Sequence, residues 1–279
     1  MVMGIINVNH DSFYASSRRN SKKEILDQAS KMIAEGASVL DLGGVSTRPG
    51  AADLDPETEI NRVIPAIECI SGLYPDILIS VDTFHTKVAI RAIKAGAAII
   101  NDITSGERDP EMIYLAKEYN CPYIMMHMQG TPQTMQNNPE YKDVLLEVLD
   151  YFIQKASHAK SIGLTDIIID PGFGFGKTIS HNYQLLNGLR ALTILEKPIL
   201  AGLSRKGMLW KPLNSTPEEV LPATIAANHV ALQNGAGILR VHDVAATMQL
   251  IRTFELINTH KHVSSVTKAS LINNLASGK

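Results

Sequence analysis

The sequence predicts a single (β/α)8 barrel, or TIM barrel, and three observations favour this fold class. Short apolar runs alternate with segments of helical period, and eight such pairs follow one another along the chain. The runs are nearly continuous in Ile, Val and Leu, which is typical of strands buried on both faces of a parallel sheet. The length of 279 residues also suits this fold, for which about 250 residues is typical.

The eight predicted strands follow one another without an additional block between the units. They cover residues 3–8, 38–43, 77–82, 98–102, 123–127, 166–170, 198–204 and 237–242. A doubly wound open sheet is the alternative, but its first turn is usually rich in glycine, and the first turn here, NVNHDSF, contains none. We therefore expect one barrel domain over residues 1–258, with the active site at the carboxyl ends of its strands, and a polar C-terminal tail over 259–279.

The segments between the strands carry the signals of amphipathic helices. In the first segment the apolar residues fall on one helical stripe, formed by Ile25, Leu26, Ala29, Met32 and Ile33. Several segments end at a glycine just before the next strand, where a left-handed C-cap is expected. These glycines are Gly36, Gly96, Gly163 and Gly235.

Composition excludes several classes of protein. A net charge of −2 argues against nucleic acid as the main partner, because phosphate-backbone binders usually present a basic surface. No apolar run approaches the roughly 20 residues that a membrane span needs, and no basic segment precedes the first apolar stretch, so we expect neither a membrane partner nor a signal peptide. Cys69 and Cys121 form no CxxC motif, which favours a reducing compartment and hence the cytoplasm.

Polar side chains end all eight predicted strands. They are Asn7, Asp41, Asp82, Asn101, Asp102, His127, Asp170, Ser204, Arg205, Lys206, Arg240 and His242. A lone Asp at such a position often only caps the following helix, but a set that includes every strand favours a functional site, because barrels keep their chemistry at this end.

The chemistry of these side chains divides by charge. Carboxylates and an amide suit a planar heterocycle with N–H donors, and the candidates are Asp82, Asn101 and Asp170. Cations suit an anion, and the candidates are Arg48, Lys206, Arg240 and His242. We expect carboxylates on one side of the barrel mouth and cations on the other. A diphosphate would also need a cation, and Asn7 with several waters could hold Mg²⁺.

The string DPGFGFGK, residues 170–177, matches neither a P-loop nor a GxGxxG motif. It is interpreted as a flexible turn that lets Phe175 approach a ligand closely. Four histidines outside the strand ends are expected to be structural or exposed: His10, His85, His158 and His181.

Several of these strings together resemble the dihydropteroate synthase family of pterin-binding TIM barrels in the folate pathway. The matching strings are MGIINV…DSF (3–13), DLGGVSTRPG (41–50), SVDT (80–83), NDI (101–103), MHMQGTP (126–132), DPGFGFGK (170–177), GLSRK (202–206) and RVHDV (240–244). They cover nearly the whole chain in order. Each string alone is weak, whereas the set is highly specific.

The resemblance implies a role for each matched residue. The pterin is expected on Asp82, Asn101, Asp170 and Lys206. The diphosphate is expected on Asn7, Arg48, Arg240 and His242, with Mg²⁺ at Asn7. The p-aminobenzoate is expected on Thr47, Pro49, Phe175, Ser204 and Lys206. The catalytic group is expected to comprise Lys206, Asp82, Asp170 and Arg240. The family also implies a homodimer that works on small-molecule substrates.

The family reaction joins 6-hydroxymethyl-7,8-dihydropterin diphosphate to p-aminobenzoate, and loss of diphosphate precedes attack by the amine. Two alternatives remain open. A methyltetrahydrofolate-dependent methyltransferase would share the Asp and Asn contacts but needs no diphosphate cradle. A non-catalytic or altered-activity pterin-binding paralogue is suggested by the first loop, where Asn9, His10 and Ala15 replace the family's Thr, Pro and second Asp.

Overall fold

The computed structural model describes residues 1–8, 18–44, 54–131, 133–135 and 138–260, with side chains from residue 22 in the second range. Within these ranges, eight parallel strands form one sheet in the order β6-β5-β4-β3-β2-β1-β8-β7. They are β1 (Val2–Asn7), β2 (Val39–Gly43), β3 (Leu78–Asp82), β4 (Ile99–Asp102), β5 (Tyr123–Met126), β6 (Ile167–Asp170), β7 (Leu200–Ala201) and β8 (Ile238–Val241).

The sheet closes into a barrel. β1 pairs with β2 on one side and β8 on the other, and a parallel bridge between Ile169 and Ile199 joins the two ends of the strand order. The predicted (β/α)8 barrel is confirmed. β7 is shorter than the predicted run because the chain leaves the ladder after Ala201 and turns at Arg205, whose φ is 57°.

Helices cover the outside of the barrel. They are α1 (Arg18–Ala34), α2 (Pro56–Leu73), α3 (Thr86–Ala95), α4 (Glu111–Glu118), α5 (Val144–Ser161), α6 (Ile179–Gly188), α7 (Gly207–Trp210), α8 (Leu221–Gln233) and α9 (Val244–Thr259), and a 3₁₀ segment (Leu189–Leu195) follows α6. The predicted glycine caps are confirmed. Gly36, Gly96, Gly163 and Gly235 have φ values of 103°, 116°, 82° and 97°, which side chains with a Cβ rarely adopt.

Two apolar layers support the barrel. A large core lies between strands and helices, and a smaller cluster fills the barrel interior toward its amino-terminal end. The interior cluster consists of Met3, Val39, Ile99, Ile124, Ile168, Leu200 and Ile238. Side chains alternate along a strand, so residues two positions after members of this cluster also point into the barrel, among them Asp41, Arg240 and Asp170. These polar side chains therefore lie directly above an apolar layer.

Thr259 ends α9, and residues 261–279 lie outside the described ranges. The division between barrel and tail at residue 259 therefore stays a prediction. Among the described helices, none has the length and apolar character needed to cross a bilayer.

Candidate active site

Three predicted ligand residues lie buried at the carboxyl ends of their strands. Asp82 and Asn101 are register partners on β3 and β4, and Asp170 ends β6 beside Met126 of β5. Their exposed fractions are 8%, 4% and 7% respectively. The fold therefore collects two acceptors and one amide in the barrel mouth, as the strand-end pattern predicts.

Arg240 lies among these carboxylates. Its Nε donates to Asp41 Oδ2 at 2.6 Å, and its Nη2 donates to Asp82 Oδ2 at 2.7 Å. Asn101 Nδ2 donates to the same Asp41 oxygen at 3.1 Å. The expected separation of carboxylates and cations on opposite sides of the mouth is wrong for Arg240. The physical reason is that buried carboxylates need a counter-charge and hydrogen-bond donors at close range.

Burial and charge set the protonation of this cluster. Burial raises the pKa of Asp82 to about 7, and Arg240 opposes the shift while Asp41 adds to it. Burial alone would lower the pKa of Arg240, but Asp41 and Asp82 raise it above its ordinary value, so the guanidinium stays charged. Asp41 Oδ1 is buried without a hydrogen-bond partner among the described residues.

Lys206 lies between the pterin candidates and the predicted p-aminobenzoate candidates. Its Nζ donates to the Phe173 carbonyl and lies 4.8 Å from the ring centroid of Phe175. Burial lowers the pKa of Lys206 to about 8, and nearby Asp170 opposes the shift. Asp170 Oδ1 accepts from the Gly172 amide at 2.8 Å. Lys206 therefore lies near one expected p-aminobenzoate residue, Phe175, and one expected pterin residue, Asp170. Its role toward both substrates stays a prediction.

The loop after β6 is held at successive carbonyls. Besides the Lys206 contact at Phe173, Lys177 Nζ donates to Gly172 and Phe175, and Tyr141 donates to Gly176. The string forms the predicted turn, with positive φ at Gly172, Gly174 and Gly176, and these contacts anchor its backbone. Its flexibility stays a prediction. The glycines also allow tight packing: a Cβ on Gly172 would collide with the carbonyl oxygen of His127.

Ser204 and His242 join the loops after β7 and β8. Ser204 Oγ lies 3.0 Å from His242 Nδ1 and accepts from the His242 backbone amide at 3.2 Å. Desolvation and the charge of Arg240 lower the pKa of His242 to about 4. His242 was expected to be one of the cations, but it is a neutral imidazole at pH 7. It can still offer a hydrogen bond to an anion.

Asn7 ends β1 with an exposed side chain at the rim. The described residues contain no group of three or more His, Cys, Asp or Glu that could hold a metal ion. Thr47, Arg48 and Pro49 lie outside the described ranges, as do Asn9, His10 and Ala15 of the first loop.

Three members of the strand-end set have structural roles. Asp102 accepts from Thr104, Gly106 and the hydroxyl of Tyr123. Arg205 forms a bidentate pair with Asp243. His127 contacts the ammonium of Lys177. These three residues therefore stabilise the loops at the strand ends through contacts within the protein.

Sequence reasoning missed the apolar wall of the mouth. Phe84, Ile103 and Met126 form a buried cluster, and Met128 and Phe175 pack against it. These side chains can contact the flat faces of a heterocycle whose edges meet the polar groups. A signal was available, because each cluster residue lies within two positions of a polar residue that ends a strand. Asp41 was noted as a strand-end residue but received no role.

The barrel carries buried carboxylates, an amide and two cations in its mouth. Enzymes of the (β/α)8 class keep their active sites at this end of the barrel. The profile of the pterin binding enzyme family matches residues 3–242. A dihydropteroate synthase of Escherichia coli (strain K12) is 44% identical over 256 residues, covering 91% of this chain and 90% of the relative.

Two solved structures support the same assignment. A Xanthomonas albilineans dihydropteroate synthase with 4-aminobenzoic acid aligns with a TM-score of 0.84 and 38% identity, covering 92% of each chain. The Xanthomonas albilineans enzyme in complex with 7,8-dihydropteroate aligns with a TM-score of 0.80 and 34% identity, again covering 92% of each chain. The chain belongs to the pterin-binding enzyme family, and the relatives it matches are dihydropteroate synthases.

Proposed function

We propose that this protein is a dihydropteroate synthase, an alkyl-group transferase of folate biosynthesis. It joins 6-hydroxymethyl-7,8-dihydropterin diphosphate to p-aminobenzoate and releases 7,8-dihydropteroate and diphosphate. The observation that carries the proposal is the buried set of Asp82, Asn101 and Asp170 beside Lys206. The names and ligands of the family relatives support the same reaction.

The pterin binds in the barrel mouth. Asp170 and Asp82 accept N–H groups of the ring, and the Asn101 amide matches an edge that both donates and accepts. Discrimination against other heterocycles follows, because a ring without those donors would leave buried carboxylates unpaired. The apolar cluster around Met126 covers the ring faces.

Catalysis is electrostatic. Arg240 and Lys206 are fixed cations that stabilise the charge on the departing diphosphate, and His242 donates a hydrogen bond to it. The carboxylates Asp82 and Asp170 stabilise the pterin cation that remains. Because these groups are already in place, little reorganisation is needed as charge develops.

The amine of p-aminobenzoate then attacks the exocyclic carbon of the cation. Phe175, whose ring centroid lies 4.8 Å from Lys206 Nζ, and Ser204 orient the second substrate. The aromatic amine is a sufficient nucleophile, so its positioning matters more than a strong general base.

Mg²⁺ is proposed as the cofactor, and the donor set at the rim fits it. Mg²⁺ usually keeps several waters and binds through one or two protein oxygens together with substrate phosphates. The exposed amide oxygen of Asn7 could supply one such ligand, and the diphosphate would supply the others. The ion, when bound, would neutralise charge on the leaving group. Titration of chelated enzyme with Mg²⁺ should restore turnover, and full activity in the chelator would exclude this role.

A homodimer and a cytoplasmic location are also proposed. Exposed Leu213, Leu256 and Ile257 leave apolar surface that a second copy could cover. Both cysteines are free thiols, which suits a reducing compartment. Sedimentation equilibrium tests the dimer, and a monomer at micromolar concentration would contradict it.

The proposed function is tested by diphosphate release from purified protein with Mg²⁺ and both substrates. Release should need the pterin substrate and should be abolished in Lys206→Ala. Lys211→Ala is the matched control, because Lys211 lies on the exposed face beside Trp210. Wild-type protein that releases no diphosphate would overturn the proposal and favour a non-catalytic pterin-binding protein.

A further inference from the structure

Lys177 is a buried lysine that the proposed mechanism does not use. Its side chain is 3% exposed. Its Nζ lies 2.9 Å from His127 Nδ1 and donates to the carbonyls of His127, Gly172 and Phe175 at 3.2, 3.0 and 3.1 Å. Lysines are almost never fully buried unless they are paired. The free energy lost on desolvating this ammonium must therefore be offset by its hydrogen bonds.

The contacts of Lys177 connect two active-site loops. His127 follows β5, whereas Gly172 and Phe175 belong to the loop after β6. Tyr141 adds a second connection, because its hydroxyl donates to the Gly176 carbonyl at 2.8 Å. A Cβ on Gly172 or Gly176 would overlap the backbone of His127 or Gln129. The two loops therefore touch backbone to backbone around the buried ammonium.

The electrostatics match a donor role. Burial and the neighbouring Lys177 lower the pKa of His127 to about 3, so its imidazole is neutral and Nδ1 accepts a hydrogen bond from Lys177 Nζ. Burial lowers the pKa of Lys177 to about 7, and Asp170 opposes this shift. The charge of Asp170 therefore acts on both Lys177 and Lys206.

The same loop carries the face that meets the second substrate. Lys177 holds the carbonyl of Phe175, and Lys206 holds the carbonyl of Phe173. With the backbone held at these two carbonyls, the Phe175 ring centroid lies 4.8 Å from Lys206 Nζ. A shift of the loop would move the ring relative to the ammonium of Lys206.

We propose that Lys177 is a positioning residue for the amine substrate: it fixes the loop after β6 so that Phe175 and Lys206 present a preformed p-aminobenzoate site. The role rests on the proposed function. Small displacements of a positioning group can reduce activity by large factors. Here the loss falls mainly on one substrate, because Phe175 belongs to the anchored loop whereas the pterin residues Asp82, Asn101 and Asp170 lie on strands.

The experiment measures KM for each substrate in Lys177→Met, which keeps the length of the side chain but removes its charge and donors. We expect KM for p-aminobenzoate to rise about tenfold and KM for the pterin diphosphate to change by less than about twofold. Tyr141→Phe removes only the second connection and should raise the same KM by about threefold. If Lys177→Met does not fold, the two KM values of Tyr141→Phe test the positioning role.

Lys155→Met is the matched control. Lys155 also donates to a loop carbonyl, that of Ser105 at 3.0 Å, and pairs with Glu107, but that loop follows β4. Both KM values should stay within about twofold of the wild-type values. A purely structural role for Lys177 would lower the melting temperature and the fraction of active enzyme without splitting the two KM values.

The outcomes are distinguishable. Active wild-type enzyme with an unchanged KM for p-aminobenzoate in both Lys177→Met and Tyr141→Phe would overturn the positioning role alone. An equal rise in both KM values would also overturn it, because the loop would then serve the whole mouth. Wild-type protein that forms no dihydropteroate would overturn the proposed function and this role with it.

Discussion

The guanidinium of Arg240 forms an ion pair with Asp82, whose Oδ2 lies 2.7 Å from Nη2. The two residues are far apart in sequence, on β8 and β3, and they meet inside the barrel. One was expected to bind the diphosphate and the other the pterin. Their contact joins the residues expected for the two halves of one substrate in a single charge cluster, which Asp41 completes from β2.

Arg240→Ala should abolish product formation and destabilise the fold. Removing the guanidinium leaves Asp41 and Asp82 as unpaired buried carboxylates, which costs about 3 kcal/mol. Arg205→Ala is the matched control, because Arg205 pairs with a partly exposed Asp243 and its loss should cost about 1 kcal/mol.

The deficit of Arg240→Ala should shrink as pH falls. Without the cation, the folded-state pKa of Asp82, which burial already raises, rises further above the unfolded value of about 4. Groups with raised folded pKa values add stability at low pH and lose it as pH rises through the folded pKa. Urea unfolding at about pH 5 and about pH 8 measures this. Equal deficits at both pH values would contradict the account.

The pH profile of kcat/KM should be bell-shaped with its maximum between the two perturbed pKa values of the mouth. Protonation of Asp82, with a pKa of about 7, gives the acid limb. Deprotonation of Lys206, with a pKa of about 8, gives the basic limb. This ratio reports the free enzyme. Lys206→Arg keeps the cation, so its residual activity should lack the basic limb; an unchanged limb would contradict the assignment.

Ser204→Ala should lower kcat/KM by about fivefold, because the hydroxyl that contacts the imidazole and the backbone amide of His242 is lost and a net loss of roughly 1 kcal/mol is expected. Steady-state kinetics with each substrate varied in turn measures the loss. Ser161→Ala is the control, since the Ser161 hydroxyl donates to a carbonyl within the exposed end of α5. A Ser204→Ala variant as active as Ser161→Ala would show that His242 needs no such support.

Ala15→Asp should raise activity or lower KM for p-aminobenzoate, because it restores the carboxylate that the family carries in the first loop. Ala15→Asn separates charge from size, and only the Asp variant should respond. If neither variant differs from wild type in kcat and KM, another residue of this chain compensates for the missing acid.

The strands could be predicted because parallel strands buried on both faces appear in the sequence as unbroken apolar runs. One example is the run of three isoleucines that ends at Asp170. The position of the site also followed from the sequence, since Asp82, Asn101 and Asp170 end such runs. The same pattern could not separate Asp102 from Asp82. Both end strands, but Asp102 turns to Tyr123 while Asp82 turns to Arg240.

Pairings across the barrel were beyond the sequence. Whether Arg240 faces a bound anionic ligand or a carboxylate of the protein depends on which strands close the barrel and which side chains share its interior layer. Lys177 illustrates the same limit, because a lysine after a glycine-rich loop is usually exposed. Its burial follows from the backbone contact between the loops after β5 and β6.

The central claim is tested most directly by identifying the product of the wild-type protein. Purified protein, Mg²⁺, 6-hydroxymethyl-7,8-dihydropterin diphosphate and p-aminobenzoate are incubated together, and the mixture is analysed by mass spectrometry. We expect 7,8-dihydropteroate and diphosphate in equal amounts, with neither product from the Lys206→Ala variant. Binding of the pterin substrate without formation of 7,8-dihydropteroate would contradict it.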